Sequence, residues 1–131
     1  MSREVTINFE NQTQNQSINI TADRALVERA LENLIKNAIE AENPSGTVHL
    51  IMQQNETGLA VLEIHNGGRP IPAEIQRVLF QPYVTHGKKS GSGLGLYTAK
   101  IILEKVHSWQ LNFESGGDKG TIFRIVFSPL T

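Results

Sequence analysis

The sequence predicts an α+β fold, a two-layer sandwich in which three helices lie on one face of a mixed, mostly antiparallel sheet. Three observations lead to this prediction. Apolar and polar residues alternate in several short segments, other segments carry an apolar stripe at helical spacing, and hairpins and helices are mixed along the chain. The length of 131 residues suits one domain with a buried core, so we expect residues 1–131 to fold as a single unit.

Strands are predicted where the alternation is clear. Residues 5–9 and 17–20 flank the Asn/Gln-rich stretch 11–16, which predicts a hairpin with a polar loop. The other predicted strands are residues 47–53, 59–65, 110–114 and 121–127.

Three helices are predicted between these strands. The first extends from about residue 22 to residue 42, with Thr21 or Asp23 as its N-cap. Its apolar stripe, spaced for burial against a sheet, consists of Val27, Ala30, Leu31, Leu34 and Ala38. A short helix over 72–79 and a third over 94–107 are separated by a long mobile loop at 80–93.

Composition and charge exclude several classes of protein. Lys and Arg total 12 while Asp and Glu total 13, so the basic excess typical of nucleic-acid binding is missing. No apolar run approaches the roughly 20 residues that span a bilayer, and with no cysteine, disulfides and thiolate metal sites are excluded. We expect a monomeric cytoplasmic domain without nucleic-acid or direct membrane contact. Its abrupt, strand-like start suggests that it was cut from a longer protein.

Two amides one helical turn apart form the first candidate site. Asn33 and Asn37 share one face of the first helix, at the edge of its apolar stripe. Magnesium prefers oxygen ligands and is often shared with substrate phosphates, and a neutral amide suits a metal already balanced by a triphosphate. The alternative is a pair of solvated amides on a polar helix face.

The glycine-rich segment Gly91-Ser92-Gly93-Leu94-Gly95-Leu96 opens the third helix and is the second candidate. Glycines let backbone N–H groups turn toward an anion, and the helix adds the positive end of its dipole. The segment lacks the Gly-Lys-Ser/Thr ending of a Walker loop and follows a loop rather than a strand, which argues against a Rossmann turn. A flexible linker with a helix cap is the alternative.

Asn66 is the third candidate, because strand parity places it on a buried face. It continues the series Ala60, Leu62, Ile64, whereas His65 points to the other face and is expected at the surface. A buried amide needs partners, and an Asn side chain can pair with the amine and adjacent ring nitrogen of adenine. An ordinary Asn-Gly turn is the alternative.

The predicted long loop carries two cations, and the histidines show no site of their own. Lys88 and Lys89 could meet phosphate charge when the loop closes, although a solvated charge pair explains them equally well. No metal spacing of histidines and no Ser-His-Asp arrangement is present.

Taken together, these motifs resemble the ATP-binding catalytic domain of sensor histidine kinases, in the superfamily shared with gyrase, Hsp90 and MutL. Five segments carry the resemblance, in family order and over nearly the whole chain. They are 33–41 (asparagine box), 65–72 (first glycine box), 80–83 (phenylalanine box), 91–96 (second glycine box) and 120–123 (the closing Gly-Thr-x-Phe).

The resemblance implies a domain that binds Mg-ATP under a mobile lid. It would supply the γ-phosphoryl group to a histidine on a separate dimerisation domain, with a response regulator downstream. By analogy Asn37 holds magnesium with Asn33 beside it, and these two amides are the catalytic candidates. ATP contacts are implied for Asn33, Asn37, Asn66, Gly68, Ile71, Tyr83, Lys88, Lys89, Gly91, Gly93, Leu94, Gly95, Leu96 and Thr121.

Three positions depart from the family pattern. Asn66 stands where Asp is usual, which predicts weaker selectivity for adenine, because an amide can flip and an Asp carboxylate only accepts. Pro70 replaces a glycine and should stiffen the pocket edge. Glu40 stands where many relatives carry a basic residue, so phosphate charge must be met elsewhere.

Two other functions remain open at this point. An anti-sigma-type serine kinase shares the fold, although the Phe-x-Pro-Tyr and Gly-x-Gly-Leu-Gly-Leu segments favour the histidine kinase. A non-catalytic interaction module would explain Asn66 and Pro70 as marks of a decayed pocket. No histidine lies in an acceptor-like context, so we expect the chain not to phosphorylate itself.

Overall fold

The computed structural model describes residues 4–14, 18–85 and 93–128. It contains one five-stranded sheet with the strand order β1-β2-β3-β5-β4. The strands are β1 (Thr6–Asn11), β2 (Thr47–Gln54), β3 (Ala60–Asn66), β4 (Gln110–Ser115) and β5 (Thr121–Phe127). The helices are α1 (Arg24–Ala41), α2 (Ala73–Gln76) and α3 (Gly95–Lys100), and α3 continues as a π-helical turn over Ile101–Val106.

The sheet confirms the predicted fold class. Strands β2, β3, β5 and β4 pair antiparallel, and only β1 pairs parallel, with β2. No helix within the described ranges has the length and apolar character needed to cross a membrane.

The predicted hairpin at the start of the chain is wrong. Residues 18–20 form no strand, and β1 pairs instead with β2, which lies beyond α1 in the sequence. The short segment offers only two apolar residues, of which Ile20 is exposed, so pairing there would bury little. Residues 12–14 and 18–23, between β1 and α1, form neither a helix nor a strand. The side chain of Asp23 caps α1 by accepting from the Leu26 N–H.

The core lies between the helices and one face of the sheet. Leu34 of α1 and Leu103 of the π-helical turn are fully buried against Ile64 of β3 and Phe123 of β5. Ala30 and Ala99 are also fully buried, and such small side chains let α1 and α3 approach closely. Residues near the middle of α1 are thereby held at a fixed distance from the start of α3.

His107 joins the amino end of α1 to the end of the third helix. Its Nδ1–H donates to the Ile102 carbonyl, 2.8 Å away, and its Nε2 accepts from the Asp23 N–H at 3.0 Å. The ring also stacks on Trp109, with 4.6 Å between centroids.

The predicted third helix over 94–107 is correct in extent, while its π-helical second half was not predicted. The second helix is shorter than predicted.

The sheet face opposite the helices carries a charge network centred on the buried Glu63. Glu63 of β3 lies between Arg124 of β5 and His65, and Arg124 also pairs with Glu114 at 2.7 Å. His65 is thus on the predicted face but half-buried rather than at the surface. Burial raises the pKa of Glu63, but the hydrogen bonds and charges of His65 and Arg124 outweigh it, so this pKa lies below its ordinary value.

This network predicts acid sensitivity that depends on Glu63. Because the folded-state pKa is depressed, the stabilisation is present above the unfolded-state pKa and is lost as pH falls through the folded-state pKa. We expect Glu63→Gln to cost about 1.5–3 kcal/mol of unfolding free energy at pH 7. The difference from wild type should shrink below about pH 4 in urea titrations. Glu114→Gln, at an exposed position, is the control and should have a smaller effect. If wild type and Glu63→Gln differed as much in unfolding free energy at pH 3 as at pH 7, the stabilising role given to ionised Glu63 would be contradicted.

Candidate functional site

Asn33 lies on the side of α1 that faces the start of α3, and Asn37 follows it one helical turn later. A Cβ placed on Gly95 would lie 3.7 Å from Cγ of Asn33, so the first turn of α3 lies beside this amide. Both asparagines are partly buried, and neither side chain forms a hydrogen bond within the ranges 4–14, 18–85 and 93–128. Their amide oxygens are therefore available to a cation.

The start of α3 offers backbone donors beside these amides that have no partner among the described residues. Among the described residues, the first backbone N–H of α3 that forms a hydrogen bond is that of Thr98, which donates to the Leu94 carbonyl at 2.8 Å. No side chain from residues 4–14, 18–85 or 93–128 caps this helix end, so within those ranges the N–H groups of the first turn are left for an anion. Leu94 is the residue at the cap, whereas the side chain of Leu96 is buried in the core.

Gly93 and Tyr83 join the two ends of the predicted lid. The Tyr83 N–H donates to the Gly93 carbonyl at 2.9 Å, and Gly93 has φ +75° and no room for a side chain against Tyr83. The Tyr83 side chain is 75% exposed, and its own φ is +67°. The predicted site residues Lys88, Lys89 and Gly91 lie outside the described residues.

Asn66 ends β3 with its side chain enclosed and unpaired. It is 2% exposed, as strand parity predicts. Neither Oδ1 nor Nδ2 has a hydrogen-bond partner among the described residues. A buried amide without partners costs about 1–3 kcal/mol for each unsatisfied group. A ligand that supplies both an acceptor and a donor would remove this cost.

The backbone around Asn66 is tightly packed on both sides. A Cβ on Gly68 would lie 1.5 Å from the Ala41 carbonyl oxygen, so this loop rests directly on the end of α1. A Cβ on Gly120 would lie 2.1 Å from the Asn66 carbonyl oxygen, and Gly120 has φ +68°. Glycine is required at both positions for different reasons: close contact at Gly68, and contact together with a left-handed backbone at Gly120.

A second set of contacts fixes Ile71 and Thr121. The Ser115 hydroxyl accepts from the Ile71 N–H at 2.7 Å and shares a 2.7 Å hydrogen bond with the Thr121 hydroxyl. The Gln76 amide donates to the Ile71 carbonyl at 2.8 Å. Because Thr121 pairs with Asn66 across β3 and β5, this network lies beside the Asn66 end of the candidate site.

Three residues that hold the backbone of this site were not predicted from the sequence. They are Glu42, Gln76 and Ser115. The carboxylate of Glu42 is buried and accepts from the N–H of Gly67, next to Asn66. Helical and strand periodicity predict which face a residue occupies but not which loop comes to lie against it. The only available signal was a carboxylate at the very end of an amphipathic helix, where the helix dipole disfavours it.

The arrangement has one end suited to an anion and another end suited to hydrogen bonding. From Asn33 to the end of α1 at Ala41 the helix rises about 12 Å. The two α1 amides and the first N–H groups of α3 lie toward one end, and the Asn66 amide, which has no partner in the part of the chain that the structure describes, lies beside the other. The donor set fits magnesium shared with phosphates, because amide oxygens are suitable ligands and carry no charge of their own. The orphaned Asn66 amide fits a purine base.

Comparison with known proteins agrees with this geometry. Residues 22–131 match the family model of histidine kinase-, DNA gyrase B- and HSP90-like ATPases. Sporulation kinase A of Bacillus subtilis is 34% identical over 85% of this chain and 18% of its own length. The chain thus spans only a small part of the curated relatives that it matches, 17–26% for three of them.

Solved structures show the same architecture. The catalytic domain of the histidine kinase ThkA aligns with a TM-score of 0.78 at 29% identity, covering 94% of this chain and 78% of that one. ThkA in complex with the response regulator protein TrrA aligns at 0.72 with 30% identity, over 95% of this chain and 35% of that one. The chain therefore belongs to the histidine kinase-, DNA gyrase B- and HSP90-like ATPase family, as a catalytic domain of the sensor histidine kinase type.

Proposed function

We propose that this domain binds Mg-ATP between α1, the Asn66 loop and the start of α3. It then supplies the γ-phosphoryl group to a histidine on a separate dimerisation domain. The observation that carries the proposal is Asn66, whose buried amide has a free donor and a free acceptor in the described structure. A nucleobase presents a donor and an acceptor side by side, so it can pair with both atoms at once.

Each part of the site has a role in this proposal. Asn66 orients the base, and Gly68, Ile71 and Thr121 form the backbone and wall beside it. Gly93, Leu94, Gly95 and Leu96 present backbone N–H groups to the phosphates. Asn37 and Asn33 hold magnesium with their amide oxygens. Tyr83, Lys88, Lys89 and Gly91 are proposed as lid residues that complete the phosphate end.

The chemistry is one of positioning rather than covalent catalysis by the protein. A ring nitrogen of the acceptor histidine attacks the γ-phosphorus, the bond to the β–γ bridging oxygen breaks, and ADP leaves. Magnesium, when bound, neutralises charge that develops on the phosphate oxygens. Asn33 and Asn37 keep the triphosphate aligned with the helix end, and the α3 N–H groups add fixed positive charge.

The partners follow from the same proposal. The acceptor is a dimerisation domain of the parent kinase, and the isolated catalytic domain is a cytoplasmic monomer. The complex of ThkA with TrrA supports a response regulator as the downstream partner. A serine kinase of the anti-sigma type would use the same pocket but a different acceptor, so the stability of the product distinguishes the two.

Phosphoryl transfer in trans tests the proposal. The domain is mixed with the dimerisation domain of its kinase and γ-labelled Mg-ATP, and labelled product is followed over time. We expect an acid-labile, alkali-stable phosphohistidine, and a rate at least about 100-fold lower for Asn37→Ala. Asn112→Ala, an exposed amide on the opposite face of the sheet, is the matched control and should transfer normally. Phosphoserine on a small antagonist protein would overturn the choice of acceptor.

A further inference from the structure

Glu42 is a buried carboxylate that the proposed phosphate chemistry does not use. It is 4% exposed and lies at the C-cap of α1. None of the ion pairs among residues 4–14, 18–85 and 93–128 involves it. A negative charge at the carboxyl end of an 18-residue helix meets the negative end of the dipole, and its burial adds a desolvation cost. An apolar side chain at this position would avoid both the unfavourable interaction with the dipole and the desolvation cost.

Two backbone N–H groups hold the carboxylate. One oxygen accepts from Asn43 at 2.9 Å, within the turn that ends α1. The other accepts from Gly67, which lies 25 positions further along the chain and directly follows Asn66. The first contact is local, but the second fixes the peptide that joins Asn66 to Gly67.

The surrounding glycines leave room for this contact. A Cβ on Gly46 would lie 2.5 Å from the Glu42 carboxylate oxygen, and one on Gly67 would lie 3.5 Å from the same oxygen. Beside it, Gly68 packs on the Ala41 carbonyl, and Gly120 packs on the Asn66 carbonyl. The backbone of Asn66 is therefore held from three sides, and only Glu42 does so through a side chain that a substitution can remove.

We propose that Glu42 is a positioning residue for the nucleobase. By binding the Gly67 N–H, it fixes the peptide after Asn66 and so aims the Asn66 amide at the exocyclic amine of adenine. This inference rests on the proposed nucleotide site and assigns a further determinant of base recognition to it. Glu42 itself touches no part of the nucleotide in this proposal.

The test separates aiming of the amide from general support of the fold. Affinities of the Mg complexes of ATP and purine riboside triphosphate are measured by calorimetry. The two ligands differ only in the 6-amino group. We expect wild type to prefer ATP by about tenfold. Glu42→Gln keeps the size of the side chain, but it has one acceptor oxygen where the carboxylate has two for the N–H groups of Asn43 and Gly67. We therefore expect this variant to prefer ATP by less than about threefold. Binding of purine riboside triphosphate should hardly change.

The controls make each outcome decisive. Glu32→Ala, an exposed carboxylate on the same helix, should leave both affinities unchanged. Glu42→Ala should reduce the preference further, and if it does not fold, Glu42→Gln alone decides. Equal weakening of both ligands by Glu42→Gln, or no change in either, would overturn the proposal. A wild type that binds neither triphosphate would instead contradict the nucleotide site itself.

Discussion

Replacing Gly120 by alanine should lower the unfolding free energy by at least about 3 kcal/mol and the Tm by roughly 10 °C or more. Two costs combine at this position. The backbone has φ +68°, which disfavours any residue with a Cβ, and that Cβ would lie 2.1 Å from the Asn66 carbonyl oxygen. The strand end would have to move, and with it the proposed base site. Differential scanning calorimetry with a nucleotide titration would measure both effects.

Gly58→Ala is the matched control for this prediction. Gly58 also has a positive φ, +84°, but a Cβ there would meet nothing within 4 Å. It should therefore show only the backbone cost of about 1–2 kcal/mol and should leave nucleotide affinity unchanged. If the two variants lost the same stability, the close contact between Gly120 and Asn66 would have no energetic consequence, contrary to this prediction.

The second large effect concerns the choice of base. Both polar atoms of the Asn66 side chain lack partners in the described structure, so no hydrogen bond there decides which of its two flipped states the amide adopts. In one orientation it accepts from the amine of adenine and donates to the ring nitrogen. After a flip it donates to the carbonyl oxygen of guanine and accepts from the ring N–H. We expect GTP to bind within about tenfold of ATP, a difference of at most about 1.4 kcal/mol.

Asn66→Asp provides the sharper version of this test. A carboxylate accepts only, so it can pair with the amine of adenine but repels the carbonyl oxygen of guanine. The ratio of ATP to GTP affinity should rise at least about tenfold in the variant, measured by competition with a fluorescent nucleotide. Asn112→Asp, at an exposed position, should leave the ratio unchanged. A wild type that binds GTP hundreds of times more weakly than ATP would show that the amide is held in one orientation.

Periodicity accounts for the part of the fold that could be predicted. The stripe on α1 and the alternation on β3 report which face is buried, and both predictions are confirmed by Leu34 and Ile64. The alternation of residues 17–20 was misleading because alternation says nothing about a pairing partner. The partner of β1 is decided by tertiary packing, which brings β2 alongside it after α1.

The residues of the candidate site also divide into those that a local sequence pattern predicts and those that depend on tertiary packing. Asn33, Asn66 and Gly95 could be singled out because each belongs to a local pattern of helix, strand or glycine-rich turn. Glu42 and Ser115 could not, because their partners lie 25 and 44 positions away and depend on how loops meet at the end of α1 and β4. The chemical roles of the predicted site residues stay predictions until ligand binding is measured.

Calorimetry with a non-hydrolysable ATP analogue, with and without magnesium, tests the central claim most directly. We expect binding in the micromolar to submillimolar range that weakens at least about tenfold when magnesium is removed. Asn37→Ala should bind as weakly with magnesium as wild type does without it, because the amide oxygen that holds the metal is gone. No detectable heat from a folded wild-type domain would contradict the nucleotide site and favour an interaction module with a decayed pocket.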